Sequence, residues 1–242
     1  MSRSCRRTAR SAASRIASSC LLGAAIVGGS AMGTAAPAFA SCTSDHSWVQ
    51  GKDQNNSTAY GNKGYIYVNT SSIINNLQDA IARSFFVIMP SGYNVEVGWA
   101  ANENGYKGPI VYAEWAIDGS TQAPVYDPNS NGRGLATDSN YRFRVDNAGN
   151  VGIWRFIFDG DSSPFTYSPT MPSNYGAPYV QSEHFNSCDS LYTHQYDLSY
   201  SEPSYWVSGY DNLVCTLNDS PDWYFHKNSN SDWDSSQTSS TC

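Results

Sequence analysis

Short apolar or alternating runs, separated by turn-forming residues, recur along most of the chain, and helical periodicity is almost absent. Alternating runs rich in β-branched and aromatic residues favour strands. Clusters such as Pro90-Ser91-Gly92, Asp118-Gly119 and Asp159-Gly160 are typical of turns. We predict strands at Tyr65–Asn69, Ser84–Met89, Asn94–Ala100, Ile110–Ile117, Tyr141–Asp146, Gly152–Phe158, Tyr179–Phe185, Tyr205–Val207 and Trp223–His226.

Many short strands with regularly spaced turns predict an all-β fold, an antiparallel two-sheet β-sandwich or jelly roll with at most one short helix. That helix is predicted at Ser71–Arg83, where Ser71 or Ser72 serves as N-cap and apolar residues recur at i, i+4 and i+8. Pro164–Pro178 is expected to be a long surface loop. One domain spanning 41–242 is expected, with a polar tail from Lys227 to Thr241.

The first 40 residues have the three-part order of a secretory signal peptide. Arginines come first, an apolar run at 21–29 follows, and Ala38-Phe39-Ala40 provides a small-residue cleavage site. The apolar run is far shorter than the ~20 residues that span a bilayer. We therefore predict a secreted, extracellular protein that begins at Ser41 and has no membrane attachment. The Arg6-Arg7 pair lacks the hydrophobic residues expected after it in a twin-arginine signal, so the export route stays open.

Cleavage changes the charge balance, because all five charged residues of the leader are arginines. The mature 202 residues keep 9 of the 14 basic residues against 21 acidic ones, a formal charge of −12. Binding to nucleic acid needs clustered Lys and Arg, and the sequence shows no such cluster. We expect a monomer whose partner is an extracellular polypeptide or polysaccharide, and no nucleic acid.

Four cysteines remain after cleavage: Cys42, Cys188, Cys215 and Cys242. An even number in an exported chain predicts two disulfides, although four cysteines allow three pairings. We favour Cys188 with Cys215 and Cys42 with Cys242, the second pair joining the two ends of the mature chain. No C-x-x-C or similar ligand spacing occurs, so we expect no metal site.

Several common catalytic motifs are absent from the sequence. These are G-x-S-x-G, H-E-x-x-H, the phosphate-binding G-x-x-x-x-G-K-[ST] and the dinucleotide-binding G-x-G-x-x-G. The four histidines are widely scattered, and each is expected to be a surface or cross-strand residue. The sequence therefore predicts no cofactor.

Glutamate is rare, and three glutamates lie within predicted strands: Glu96 in VEVGW, Glu114 in YAEW and Glu183 in VQSEHF. Successive side chains of a strand point to opposite faces, so Glu96 points away from the core that Val95, Val97 and Trp99 enter. The same parity groups Tyr112 with Glu114, and Glu183 with Tyr179, Gln181 and Phe185. Three polar-faced strands would form one acidic, aromatic-lined surface. The alternative is an ordinary solvated sheet face.

VEVGW followed by IVYAEW resembles the corresponding strands of secreted glutamic peptidases, most closely the neprosin group and more distantly the fungal enzymes. The resemblance covers roughly 93–185 and implies a concanavalin-like sandwich. By this resemblance Glu96 is one member of a catalytic pair, and Glu183 is our candidate for the other. We expect Tyr112, Glu114 and Gln181 to bind substrate. Two neighbouring carboxyls do not easily both ionise, so one activates water while the other donates a proton, at acidic pH and without a cofactor.

A second stretch points to carbohydrate. YRFRV followed by GNVGIWRFIFDG resembles a strand and hairpin of concanavalin-like lectins and carbohydrate-binding domains. Aromatic rings provide flat surfaces on which sugars stack. We assign Trp99, Trp115 and Trp154 to the core, and expect Trp206, Trp223 and Trp233 to be available for binding. The function hypotheses are therefore a glutamic endopeptidase, a carbohydrate-binding module, and a structural or inhibitory protein without a site.

Overall fold

The computed structural model describes residues 47–77, 80–102, 107–117, 120–121, 125–126, 134–149, 152–159, 164–166, 168–184, 191–218 and 223–237. Its helix is α1 (Ser71–Asn76). Its strands are β1 (Ser47–Asp53), β2 (Gly61–Val68), β3 (Ile81–Ile88), β4 (Asn94–Ala101), β5 (Ile110–Ile117), β6 (Ser120–Thr121), β7 (Val125–Tyr126), β8 (Ser139–Asn147), β9 (Trp154–Phe158), β10 (Ala177–His184), β11 (Leu191–Ser201), β12 (Trp206–Ser208), β13 (Leu213–Asn218), β14 (Trp223–Ser229) and β15 (Asp232–Gln237).

The strands form two antiparallel sheets. Sheet I has the order β13-β1-β10-β3-β4-β5-β6, with β7 also paired to β5. Sheet II has the order β14-β15-β11-β2-β8-β9, with β12 paired to β11. The predicted all-β, two-sheet antiparallel sandwich is thereby confirmed.

One apolar core fills the space between the sheets. Sheet I contributes alternate residues of its central strands, among them Phe85, Val97 and Trp99, and sheet II contributes Phe143 and Trp154, all fully buried. Alternation with period two in both sheets explains why polar residues occupy the opposite faces. The assignment of Trp99, Trp115 and Trp154 to the core is confirmed, Trp115 being partly buried.

The C-terminal segment differs from the prediction. Residues 223–237 form the hairpin of β14 and β15 at one edge of sheet II, where a polar tail was expected from Lys227. Trp223 is 3% exposed and Trp233 fully buried, so the expectation that these two rings are available for binding was wrong. In β15, side chains alternate between the two faces of the sheet: Trp233 and Ser235 point inward, and Asp232 and Asp234 point outward. Every second residue of this polar segment is therefore buried.

The predicted helix is too long. It ends at Asn76, and Ile81 already begins β3. The backbone N–H groups of Ile73 and Ile74 both donate to the carbonyl of Thr70, and no side chain caps the helix. β3 pairs with β10 on one side and β4 on the other, so two ladders outweigh the local helical spacing.

Some predictions lie outside the described residues, namely the signal peptide, the turn Asp118-Gly119 and three of the four cysteines of the mature chain. Cys215 is disulfide-bonded. The pairing of the cysteines stays a prediction. Within the described ranges, no helix has the length and apolar character needed to cross a membrane.

Candidate active site on the outer face of sheet I

The face of sheet I that points away from sheet II carries the predicted site residues. Cross-strand register places them in three adjacent rows over five strands, β5, β4, β3, β10 and β1. The rows are Glu114-Glu96-Phe86-Tyr179-Lys52, then Tyr112-Gly98-Ser84-Gln181-Gln50, then Ile110-Ala100-Ala82-Glu183-Trp48. All five predicted site residues therefore lie on one face, which we call the site face. Phe185 lies outside the described residues.

Glu96 is the centre of the first cluster. It stands directly opposite Glu114 on β5, and the hydroxyl of Tyr112 donates a 2.5 Å hydrogen bond to its Oε1. Glu96 is 8% exposed and Tyr112 4% exposed, although both face away from the core between the sheets. Directly opposed carboxylates repel each other. The geometry thus brings two carboxyls and a buried phenol together.

Gly98 makes this cluster possible. A Cβ at Gly98 would lie 1.9 Å from the carbonyl oxygen of Arg83, so no larger residue fits beside β3 without moving the backbone. Gly98 is also the cross-strand partner of Tyr112. A residue without a side chain at this position leaves the phenol space to reach Glu96.

A second cluster lies on β10 and β1. Gln181 donates from Nε2 to Oε2 of Glu183 at 3.0 Å, and its Oε1 accepts a 2.5 Å bond from Nε2 of Gln50. The backbone carbonyl of Glu183 also accepts a 2.6 Å bond from Nη1 of the buried Arg83. Two amides and a guanidinium therefore hold the side chain and the backbone of Glu183 in place.

The two predicted catalytic glutamates are not cross-strand neighbours. β3 lies between their strands, and Glu96 aligns with Tyr179, four residues along β10 from Glu183. This register puts their Cα atoms roughly 16 Å apart, from 4.8 Å between strands and 3.3 Å per residue. The row that contains Tyr112 and Gln181 lies between the two. Catalytic pairing of Glu96 with Glu183 stays a prediction.

The pKa of the Tyr112 phenol depends on both glutamates. Burial raises the pKa of its phenol well above the ordinary value, and the negative charges of Glu96 and Glu183 raise it further. The charge of Glu114 acts in the same direction more weakly. Tyr112 therefore stays protonated as a hydrogen-bond donor at acidic and neutral pH, and it lies in the field of both carboxylates.

Two stacked aromatic rings lie beside Glu96 on the site face. The rings of Phe86 and Tyr179 stack at 5.0 Å with an interplanar angle of 21°. The ammonium group of Lys52 lies 5.5 Å from the Tyr179 ring. Along this row an acidic pair is followed by two rings and a cation, of which Phe86 is buried and Tyr179 and Lys52 are half-buried.

Sequence reasoning missed Gln50, Lys52 and Arg83. The signal for the first two was present, since Trp48, Gln50 and Lys52 alternate with Val49 and Gly51 in SWVQGKD. Arg83 was placed at the end of a helix, which hid its position beneath Glu183. Among the described residues, no group of three or more His, Cys, Asp or Glu is arranged to hold a metal ion.

The fold is similar to that of known hydrolases. The structure of scytalido-glutamic peptidase with a transition state analog inhibitor has a TM-score of 0.50 at 11% identity, covering 81% of this chain and 100% of that one. SCP-B, a member of the eqolisin family of peptidases, gives 0.45 at 10% identity over 81% and 100%. Bacillus licheniformis β-glucanase gives 0.37 at 10% identity over 76% and 66%.

No protein-family model and no curated protein matches the chain. At 11% identity the first of these likenesses shows a shared fold, and the two weaker ones add nothing to it. The sandwich is thus of a kind that occurs in glutamic peptidases, as the resemblance of VEVGW and IVYAEW implied for the fold.

Proposed function

We propose that the mature chain is a secreted glutamic-type endopeptidase that hydrolyses peptide bonds of extracellular polypeptides at acidic pH. Its catalytic groups are Glu96 and Glu183, with Tyr112 between them and Glu114 and Gln181 beside them. The observation that carries this proposal is the 2.5 Å hydrogen bond from the buried Tyr112 phenol to Glu96 on the site face.

The proposed chemistry needs one ionised and one protonated carboxyl. Glu96, which accepts the Tyr112 bond, is assigned as the ionised general base. It takes a proton from a water molecule as the water oxygen attacks the scissile carbonyl carbon. Glu183 donates its proton to the leaving nitrogen as the C–N bond breaks. The products are a carboxyl and an amine, and the two glutamates have exchanged protonation states.

The surrounding residues support these roles. Gln181 donates a hydrogen bond to Glu183, and Gln50 in turn donates one to Gln181. Tyr112 keeps its proton and fixes the Glu96 carboxylate. Glu114 stands directly opposite Glu96 and adds a second carboxyl to this part of the site. The proposed acid must carry a proton, so we expect activity at acidic pH.

The test is hydrolysis of a reduced and alkylated protein by the purified mature chain over a series of acidic pH values. We expect Glu96→Gln and Glu183→Gln each to lower kcat/KM by at least about a hundredfold, because general acid or base catalysis contributes roughly 10²–10⁴. Glu202→Gln is the matched control, since Glu202 follows β11 in sheet II and is outside the site face. It should retain activity.

Two results contradict the proposal. One is a wild-type chain that cleaves no peptide bond at any acidic pH, measured by mass spectrometry on a mixed peptide library. The other is activity that survives both substitutions. If only Glu183→Gln remains active while Glu96→Gln and Glu114→Gln are both inactive, the opposed pair Glu96 and Glu114 replaces the proposed dyad.

A further inference from the structure

Sheet II assembles a cluster of cations that the sequence did not reveal. Four of the nine basic residues of the mature chain, Lys63, Arg142, Arg144 and Arg155, lie on the neighbouring strands β2, β8 and β9. Lys63 stands opposite Arg144, and Arg142 opposite Tyr65, on the outer face of this sheet. The expectation that the chain has no clustered Lys and Arg was wrong, because β2, which carries Lys63, is distant in sequence from β8 and β9 but pairs with β8.

The cluster has a net positive charge. Asp146 forms ion pairs with Arg144 and Arg155, the latter at 2.8 Å, so one buried carboxylate serves two guanidinium groups that are each 33% exposed. Burial lowers the pKa of Lys63, and the charges of Arg142 and Arg144 lower it further. Asp197 and Asp146 oppose this effect less strongly. Repulsion among the cations therefore outweighs the nearby acidic groups at Lys63.

Aromatic rings lie among these cations. The ring of Trp206 has the Lys63 ammonium at 4.2 Å and the Arg144 guanidinium at 5.2 Å from its centroid. Tyr65, opposite Arg142, stacks on Tyr196 at 5.1 Å with an interplanar angle of 11°. All of these side chains are half-buried. Trp206 thus positions two cations, and the face combines positive charge with flat apolar rings.

We propose that this cationic patch, formed by Lys63, Tyr65, Arg142, Arg144 and Trp206, binds an acidic polysaccharide built of uronic acids. The carboxylates of such a polymer can accept hydrogen bonds from the guanidinium and ammonium groups, and its sugar rings can stack on the aromatic rings. A uronate polymer carries one charge per sugar. Nucleic acid is more densely charged, and a chain of formal charge −12 repels it more strongly. The patch lies on the sheet opposite the site face, so binding does not depend on the proposed peptidase activity.

The experiment measures binding of the purified mature chain to polygalacturonate and to its fully methyl-esterified form, which has the same sugars without charge. We expect binding to polygalacturonate only, and weaker binding as salt is raised. The double variant Lys63→Gln/Arg142→Gln should raise Kd roughly tenfold, because two ion pairs with carboxylates of the polymer are lost. It keeps both ion pairs of Asp146.

The matched control is Lys107→Gln/Lys227→Gln, which removes the same charge at two exposed positions outside the patch. It should bind like the wild type, and thermal melts should show that both double variants are folded. The proposal is overturned if the control loses as much affinity as the patch variant, or if the methyl ester binds equally. It is also overturned if wild-type binding is absent or independent of salt, or if double-stranded DNA binds as tightly as polygalacturonate.

Discussion

At the scale of single residues, Tyr112 is central to the site face. A tyrosine on the outer face of a sheet is ordinarily exposed to solvent, but this one is 4% exposed and its hydroxyl donates a hydrogen bond to the carboxylate of Glu96. A buried polar group needs a partner, and Glu96 provides it. The same phenol also lies in the field of Glu183, whose charge raises its pKa further.

The substitution Tyr112→Phe tests the hydrogen bond between Tyr112 and Glu96. It removes only the hydroxyl, so Glu96 loses this donor while the ring still fills the same space. We expect kcat for peptide hydrolysis to fall by roughly ten- to a hundredfold and KM to change less, because in the proposed mechanism the hydroxyl orients the general base. Steady-state kinetics on a fluorogenic peptide measures both parameters.

Tyr205→Phe is the control for this substitution, since Tyr205 is 61% exposed and lies beside sheet II. A Tyr112→Phe enzyme with wild-type kcat would show that the hydroxyl has no role in turnover. A loss of activity that is fully explained by a lower fraction of folded enzyme, measured by thermal melts, would indicate a purely structural role.

At the scale of strands and helices, sequence predicted those elements whose pattern is local. All nine predicted strands overlap strands of the structure, namely β2, β3, β4, β5, β8, β9, β10, β12 and β14. The two-residue strands β6 and β7 were not predicted, and neither were β1, β11, β13 and β15, in which polar residues dilute the alternation. Their stability comes from partners distant in the chain, as in the pairing of Gln50 with Gln181.

The site residues also divide into those predictable from a local pattern and those that depend on strand pairing. The alternation of side chains within one strand was sufficient to group Tyr112 with Glu114 and Gln181 with Glu183. Pairing of β4 with β5, which follow each other in sequence, added Glu96. Gln50 required knowledge that β1 pairs with β10, and no local pattern contains that information.

The substitution Gly98→Ala tests how closely β3 and β4 approach each other. A Cβ would lie 1.9 Å from the Arg83 carbonyl oxygen, and the backbone of a central strand cannot easily move away. We expect the free energy of unfolding to fall by about 2–4 kcal/mol. Urea unfolding with an unchanged m value measures the loss.

Gly108→Ala is the matched control, because a Cβ there meets nothing within 4 Å. It should change stability by less than about 0.5 kcal/mol. If Gly98→Ala is as stable as the control, the strands are not packed as closely as the backbone indicates.

At the scale of the whole molecule, one core joins two sheets whose outer faces carry different groups of charged residues. The site face carries Glu96, Glu114 and Glu183, and the opposite face carries the cationic patch. The two proposals place binding of an anionic polymer on one sheet and peptide hydrolysis on the other. Both assume that the predicted leader exports the chain.

Export and oxidation of the chain are therefore the last prediction. Expressed with residues 1–40 in a secreting bacterial host, the protein should accumulate in the medium with Ser41 at its N-terminus. Its mass should be that of the 202-residue chain less four hydrogen atoms, because Cys42, Cys188, Cys215 and Cys242 form two disulfides. N-terminal sequencing and intact mass spectrometry measure both, and peptide mapping without reductant distinguishes the three pairings. Reduction should lower the free energy of unfolding by about 2–5 kcal/mol. A chain retained in cells with its leader, or one with four free thiols, would contradict the extracellular assignment.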